Sequence, residues 1–329
     1  PYRIKVAMPE IKKPDQNQYR LLKPREYLSS NIQRSREIKA PEKLTYEWKR
    51  QTLSFPKPVK AGIPDFKDAA SLNIKYLDID QGLNSSYITS IYEGKEENIW
   101  MASAGGGVSR YNGEEFYHFN DETGFNTYIV YDILQDKNDW FWFAGRLGLI
   151  TIYDGVAYRE LHIEGLEYLT VFDLLKDQFD NIWITTENHG VLKYDGKELF
   201  QYSTTQGLST NHILSLEEDS RGRIWIGTFD GGINIIGENE IILMNSATGV
   251  PISKVWDLHR DHSGNIWMAT ENEGVFKSAR DKIFNYTVDS GLPTNYYVSV
   301  YEDSQYRIWL ASYGKGALIL GEDYYSQIT

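Results

Sequence analysis

The chain is predicted to be all-β, a β-propeller of four-stranded blades preceded by a basic, Pro-rich N-terminal arm. Three observations predict it. A tryptophan recurs at nearly constant spacing as Trp100, Trp142, Trp183, Trp225, Trp267 and Trp309, at intervals of 42, 41, 42, 42 and 42 residues. A Gly-apolar pair keeps step with it as Gly82-Leu83, Gly124-Phe125, Gly165-Leu166, Gly207-Leu208, Gly249-Val250 and Gly291-Leu292. Eight of ten prolines fall within residues 1–64, whereas 26 of 27 glycines lie at or beyond residue 82. Two marks in phase at a period near 40 mean copies of one supersecondary unit, as in propeller blades. The composition shift separates an extended arm, 1–72, from a repeat region, 73–329.

Each repeat is expected to hold four strands. In the first copy these are Ile88–Tyr92 (A), Asn98–Ala102 (B), Val108–Tyr111 (C) and Phe116–Phe119 (D). Strand B is apolar on both faces, as in Ile224-Trp225-Ile226, which suits a blade sandwiched between neighbours. The recurrent Trp is therefore assigned to packing between blades. Asn112-Gly113, Asp154-Gly155 and Asp195-Gly196 mark tight C–D hairpins in which both central residues favour positive φ. An Asp stands six residues before the Trp as Asp136, Asp177, Asp219, Asp261 and Asp303, with Gly94 in the first copy. It is expected to cap the A–B turn, because a carboxylate there accepts backbone N–H groups. A Gly seven residues after the Trp (Gly107, Gly190, Gly232, Gly274, Gly316, and Gly148 one residue early) is expected to serve a special backbone conformation or a close approach. Six blades are predicted, with seven as the alternative. Lys75–Asp78 and Tyr325–Ile328 both align with a D strand of the last blade. In the arm, Thr45–Lys49 alternates like a strand, and the stretch around Pro56, Pro58 and Pro64 reads as linker.

Charge and composition exclude several functions. The net charge is −12, divided as +9 over residues 1–60 and −21 over the rest. A propeller this acidic is not expected to bind nucleic acid, whose phosphates need a basic surface. The arm is expected to lie along the acidic repeats. There is no Cys, so thiolate chemistry is excluded. No apolar run approaches the ~18–20 residues of a membrane span. The chain starts at Pro1 without Met, and an export signal removed upstream is the expectation. No P-loop, Gly-x-Ser-x-Gly or His-Glu-x-x-His is present. Each blade offers one Asp without clustered ligands, so neither metal nor cofactor is expected.

The repeat Asp219-Ser220-Arg221-Gly222-Arg223-Ile224-Trp225-Ile226-Gly227-Thr228 resembles the two-component regulator propeller, as do Asp261-His262-Ser263-Gly264-Asn265-Ile266-Trp267 and Gly107-Val108-Ser109-Arg110-Tyr111-Asn112-Gly113. The resemblance covers about 73–329. It implies a periplasmic or cell-surface sensor module of bacterial hybrid two-component systems, many of which sense glycans ahead of a membrane span and an output domain. Neither of those is in this sequence. A weaker likeness to streptogramin lyases keeps an enzyme as an alternative, and a protein-interaction scaffold is another.

A site is sought where the copies differ. The A–B and C–D turns are monotonous, but the B–C loops change in every copy. Four residues after the Trp come Ala104, Arg146, Glu187, Phe229, Glu271 and Tyr313. The next residues include Asn188, Asp230 and Asn272, and His189 and Glu273 follow in their loops. Five residues after the Gly of each Gly-apolar pair come Tyr87, Ile129, Thr170, His212, Lys254 and Tyr296. The expected ligand-binding residues are Arg146, Glu187, Asn188, His189, His212, Phe229, Asp230, Glu271, Asn272, Tyr296 and Tyr313. Such a mixture suits an oligosaccharide or small polar ligand, with stacking for ring faces and polar forks for hydroxyls. The partners expected are that ligand and a signalling protein or output domain beyond this sequence.

Overall fold

A computed structural model describes residues 20–28, 34–62, 77–95, 97–146, 150–280, 282–321 and 324–328. Among them thirty strands form six sheets, each antiparallel and each of five strands. The repeat strands follow the sequence closely. In the first copy they are Ile88–Glu93, Ile99–Ser103, Val108–Tyr111 and Glu115–Phe119. The sixth is completed by Tyr324–Ile328, which pairs with Gly316–Leu320. The chain's own C-terminal segment is thus the D strand of the last repeat. Of the competing Lys75–Asp78 segment, Lys75 and Tyr76 lie outside the described residues, and Leu77 and Asp78 are in no strand. This is a six-bladed β-propeller fold.

The expectation of four strands per blade is corrected to five. The arm supplies the extra one. Its strands are β1 (Arg20–Leu21), β2 (Arg25–Leu28), β3 (Arg34–Glu37), β4 (Glu42–Leu44), β5 (Tyr46–Gln51) and β6 (Val59–Lys60). Each pairs antiparallel with the D strand of a different sheet, β1 with the sixth repeat and so on in reverse to β6 with the first. The longest pairing sets Tyr46–Gln51 against Tyr158–Ile163. The alternation at Thr45–Lys49 is borne out by β5, and composition hid the other five because they are short and rich in Arg, Lys and Glu. A charged outer strand is also how natural sheets blunt an edge against aggregation.

Two compact units divide the described chain. One contains Thr45–Leu174, and the other Pro14–Leu44 with Leu175–Thr329. In the first, Trp100 packs among Phe119, Phe141, Phe143 and Tyr153 of its own and the next repeat. In the second, Trp225 joins a core of Val255, Leu258, Ile266 and Met268 from the next repeat, and Trp267 joins Tyr297, Val300 and Leu310 likewise. Five of the six Trp side chains are buried, and Trp309 is only half-buried.

The Asp before each Trp does more than cap its turn. One carboxylate oxygen accepts the backbone N–H groups two and four residues on, as Asp219 does from Arg221 and Arg223. The other accepts the indole N–H: 3.0 Å for Trp142–Asp136, 2.8 Å for Trp183–Asp177, 3.0 Å for Trp225–Asp219, 2.9 Å for Trp267–Asp261 and 2.7 Å for Trp309–Asp303. The C–D turns differ from the expectation. Gly113, Gly155 and Gly196 have positive φ, but Asn112, Asp154 and Asp195 do not. Their side chains instead accept two backbone N–H groups each, as Asn112 does from Glu114 and Glu115. This is an Asx-type turn, which needs only one left-handed residue. The Gly after strand B meets both reasons proposed for it. At Gly190 φ is +77°, and a Cβ would collide with the carbonyl oxygen of Tyr202. Gly148 lies outside the described residues.

Candidate functional site

The loop that follows strand B is closed by a short, repeated device. Thr228 Oγ1 donates to the Gly232 carbonyl at 2.8 Å and accepts from Gly231 N–H at 2.8 Å. Thr186 closes on Gly190 at 2.7 Å and Thr270 on Gly274 at 2.7 Å. Three residues are left at each tip: Glu187, Asn188 and His189; Phe229, Asp230 and Gly231; Glu271, Asn272 and Glu273. These are the positions where the copies diverge.

The two variable positions turn out to be partners within one blade. Phe229 N–H donates to the His212 carbonyl at 3.0 Å, Glu271 N–H to Lys254 at 3.3 Å, and Tyr313 N–H to Tyr296 at 3.1 Å. Arg146 N–H donates to Ile129 at 3.0 Å and Ala104 N–H to Tyr87 at 3.0 Å in the other unit. A register shift opens strand A just beyond the contact, between Ile213 and Ser215, Val255 and Asp257, and Tyr297 and Ser299. A bulge of this kind re-aims the side chains beside it.

In the unit containing Leu175–Thr329 the paired side chains interact in sequence. His212 stacks on Phe229 with centroids 4.4 Å apart and planes at 8°. Lys254 Nζ stands 4.0 Å from the Phe229 centroid, 4.3 Å from that of Trp256, and 3.2 Å from Glu271 Oε2. Tyr296 stacks on Tyr313 at 5.0 Å and 23°. Burial raises the Tyr296 hydroxyl above its usual range, and the Glu271 carboxylate adds to this by its charge and by accepting a hydrogen bond. Burial lowers His212, while the Glu187 and Asp230 carboxylates oppose that shift and Lys254 adds to it. The result is a continuous run from the third to the sixth repeat: carboxylates, imidazole on phenyl, ammonium on carboxylate, and stacked phenols.

Of the expected residues, the structure thus brings together Glu187, His212, Phe229, Asp230, Glu271, Tyr296 and Tyr313. Asn188 and Asn272 are exposed tips beside them. His189 is fixed by its backbone, with its N–H on Thr186 Oγ1 at 2.9 Å and its carbonyl accepting from Gln201 at 2.7 Å. Arg146 is exposed in the unit containing Thr45–Leu174. Lys254 and Trp256 also join this run and were not among the expected residues. Lys254 was visible as the one cation in the variable position of strand A. Trp256 stands outside the 42-residue phase, which is itself a signal. Ser253 Oγ donates to Glu273 Oε1 at 2.6 Å, so Glu273 braces the loop.

The residues matched by the two-component regulator propeller family model are 82–105, 207–230, 249–272 and 291–314. Among solved structures, the extracellular domain of the putative hybrid two component system BT3049 from B. thetaiotaomicron is similar at 26% identity and a TM-score of 0.67, over 75% of this chain and 34% of that one. PorZ, a surface component of the type-IX secretion system of Porphyromonas gingivalis, gives 16% and 0.58 over 71% and 38%. Virginiamycin B lyase from Staphylococcus aureus gives 11% and 0.59 over 86% and 100%. The last two show likeness of fold alone. The chain spans about a third of the length of the first two. No curated protein matches it. The four matched segments carry the phased Gly and Trp marks of this sequence, and in them the chain is similar to the two-component regulator propeller family.

Proposed function

We propose that the chain is an extracytoplasmic ligand-binding sensor module that passes occupancy to a signalling partner or output domain. Its ligand in this reading is an oligosaccharide or another small polar molecule. The observation that carries it is the unbroken run from Glu187 to Tyr313, in which aromatic faces alternate with charged groups at positions the repeat leaves free. Sugar recognition needs this mixture, a flat apolar platform flanked by groups that fork to hydroxyls. The BT3049 domain is extracellular and part of a putative two component system, which supports the location and the role. The run contains no nucleophile paired with a base and an orienting group, so binding without turnover is the reading adopted.

Tyr313 is the stronger platform, at 71% exposed and stacked on Tyr296. Phe229 is 40% exposed, and much of its ring already meets His212 and Lys254. The test is a thermal-shift screen against an oligosaccharide panel. A ligand at 100 times its Kd should stabilise the fold by about 2.7 kcal/mol. With a hit in hand, Tyr313→Ala should weaken binding by roughly 1–3 kcal/mol, the scale of a lost aromatic contact. Asp195→Ala in a C–D turn is the control and should leave affinity unchanged. Loss at Asp195 with none at Tyr313 would move the site to the turn end. New products in chromatography would replace binding by catalysis.

A further inference from the structure

One blade lacks the carboxylate that the other five use. The first repeat has Gly94 where they have Asp, yet it keeps the indole that the carboxylate would accept from. A Cβ built on Gly94 would stand 3.3 Å from Trp100 Nε1 and 3.3 Å from the Phe141 ring. The backbone there is not in the left-handed region, so nothing in its conformation demands glycine. In two other repeats a cation ten residues after the Trp accompanies the carboxylate, Lys193 and Lys277, and the first repeat has a cation at that place too. In the fifth repeat Lys277, ten residues after Trp267, sits 4.7 Å from that indole, and its charge helps hold Asp261 ionised. Arg110 is ten residues after Trp100. Its guanidinium carbon lies 5.8 Å from the indole and 4.5 Å from the Tyr117 ring. Its Nε is buried with no hydrogen-bond partner, and no carboxylate pairs with it among the described residues.

These groups line a cavity of about 380 Å³ at the turn end of the first two repeats, with Phe55, Phe141 and Tyr153 as apolar walls. Such a volume falls in the range of about 300–1,000 Å³ typical of small-molecule sites. Lys95 and Asp139 also line it and pair with each other, which leaves Arg110 as the lining cation with no carboxylate of its own among the described residues. Arg110 is half-buried against two ring faces, and a carboxylate accepting from both its guanidinium and the indole would form charge-assisted bonds.

We propose that the cavity beside Gly94 is a binding site for a small organic carboxylate, which accepts from the Trp100 indole as the Asp side chain does from its own Trp in the other five blades. The apolar walls would receive its body. This site is at the A–B and C–D turns of the first two repeats and is independent of the run ending at Tyr313.

The test uses the whole chain and two variants, titrated with acetate and propionate at ionic strength held constant with chloride, with Tm as the readout. The wild type should show a saturable rise in Tm that chloride and sulfate do not reproduce. Gly94→Asp restores the repeat's own carboxylate. It should no longer respond. Arg110→Met should require at least tenfold more carboxylate for half the effect. No wild-type response up to 100 mM carboxylate would overturn the proposal, and so would an equal response in Gly94→Asp. If Arg110→Met does not fold, the wild type and Gly94→Asp still decide.

Discussion

Each recurrent tryptophan is held by two kinds of force. Its ring fills the apolar space against the next repeat, and its N–H is anchored by the carboxylate that also ties the preceding turn. Trp225 shows both, with Asp219 at 3.0 Å and a core of isoleucines and valines around it. Truncating Trp225 to Ala should therefore cost about 3–5 kcal/mol, as other large-to-small core changes do. It also leaves the buried Asp219 short of one donor, although Arg223 remains at 2.6 Å. Trp309→Ala should cost clearly less, because Trp309 is only half-buried. Denaturant melts of the two variants check the order, and equal losses would show that burial is not what distinguishes them. The packing role of the Trp was legible from its phase. The Asp–Trp bond was not, because a spacing of six residues reveals a turn but not which way a side chain folds back across it.

At the scale of the strand, the inner A strands are knitted by buried carboxylates. Asp257 accepts from Ser299 Oγ at 2.7 Å and Val300 N–H at 2.8 Å, and Asp132 accepts from Ser90 Oγ at 3.0 Å and Leu174 N–H at 3.0 Å. Burial pushes both carboxyls up to about 6, against the hydrogen bonds that favour their ionised form. A raised carboxyl means the folded state holds its proton more tightly than the unfolded chain. These two groups then favour folding most below the usual carboxylate range near 3.9, and the benefit declines as pH rises to about 6. Asp303 acts in the opposite sense. Burial would raise it, but Arg307, Trp309 and two backbone N–H groups outweigh that and hold it at about 2. Its contribution is present above 3.9 and is lost as pH falls toward 2. Asp257→Asn should flatten part of the decline between pH 4 and 6, with Asp132 retaining the rest. Melting curves at pH 4, 5, 6 and 7 measure this, and an unchanged slope would remove Asp257 from the account. The strands themselves were legible by alternation and turn residues. The pairing of the two variable positions was hidden, since each was found from a different mark and only the strand A–B register joins them.

For the whole chain, the arm is where sequence and structure diverge most. Its net charge of +9 against −21 suggested a segment laid electrostatically along the repeats. The structure instead pairs β1 to β6 by backbone hydrogen bonds with one D strand in every sheet. Ion pairs accompany these strands, Lys43 with Glu198 and Glu26 with Lys282, but they are exposed. Exposed pairs contribute about 0–1 kcal/mol each and are screened by salt. Backbone pairing is not screened in that way. Raising salt to about 1 M, where the Debye length is about 3 Å, should therefore leave the arm protected from limited proteolysis. Deleting residues 1–60 should expose the D-strand edge of all six sheets, lower Tm and promote association, because unpaired edges are templates for further strands. Sedimentation and melting of the truncated chain test this. Salt-triggered release of the arm, or a truncated chain that stays monomeric at unchanged Tm, would restore the electrostatic reading and make the fifth strands incidental to stability.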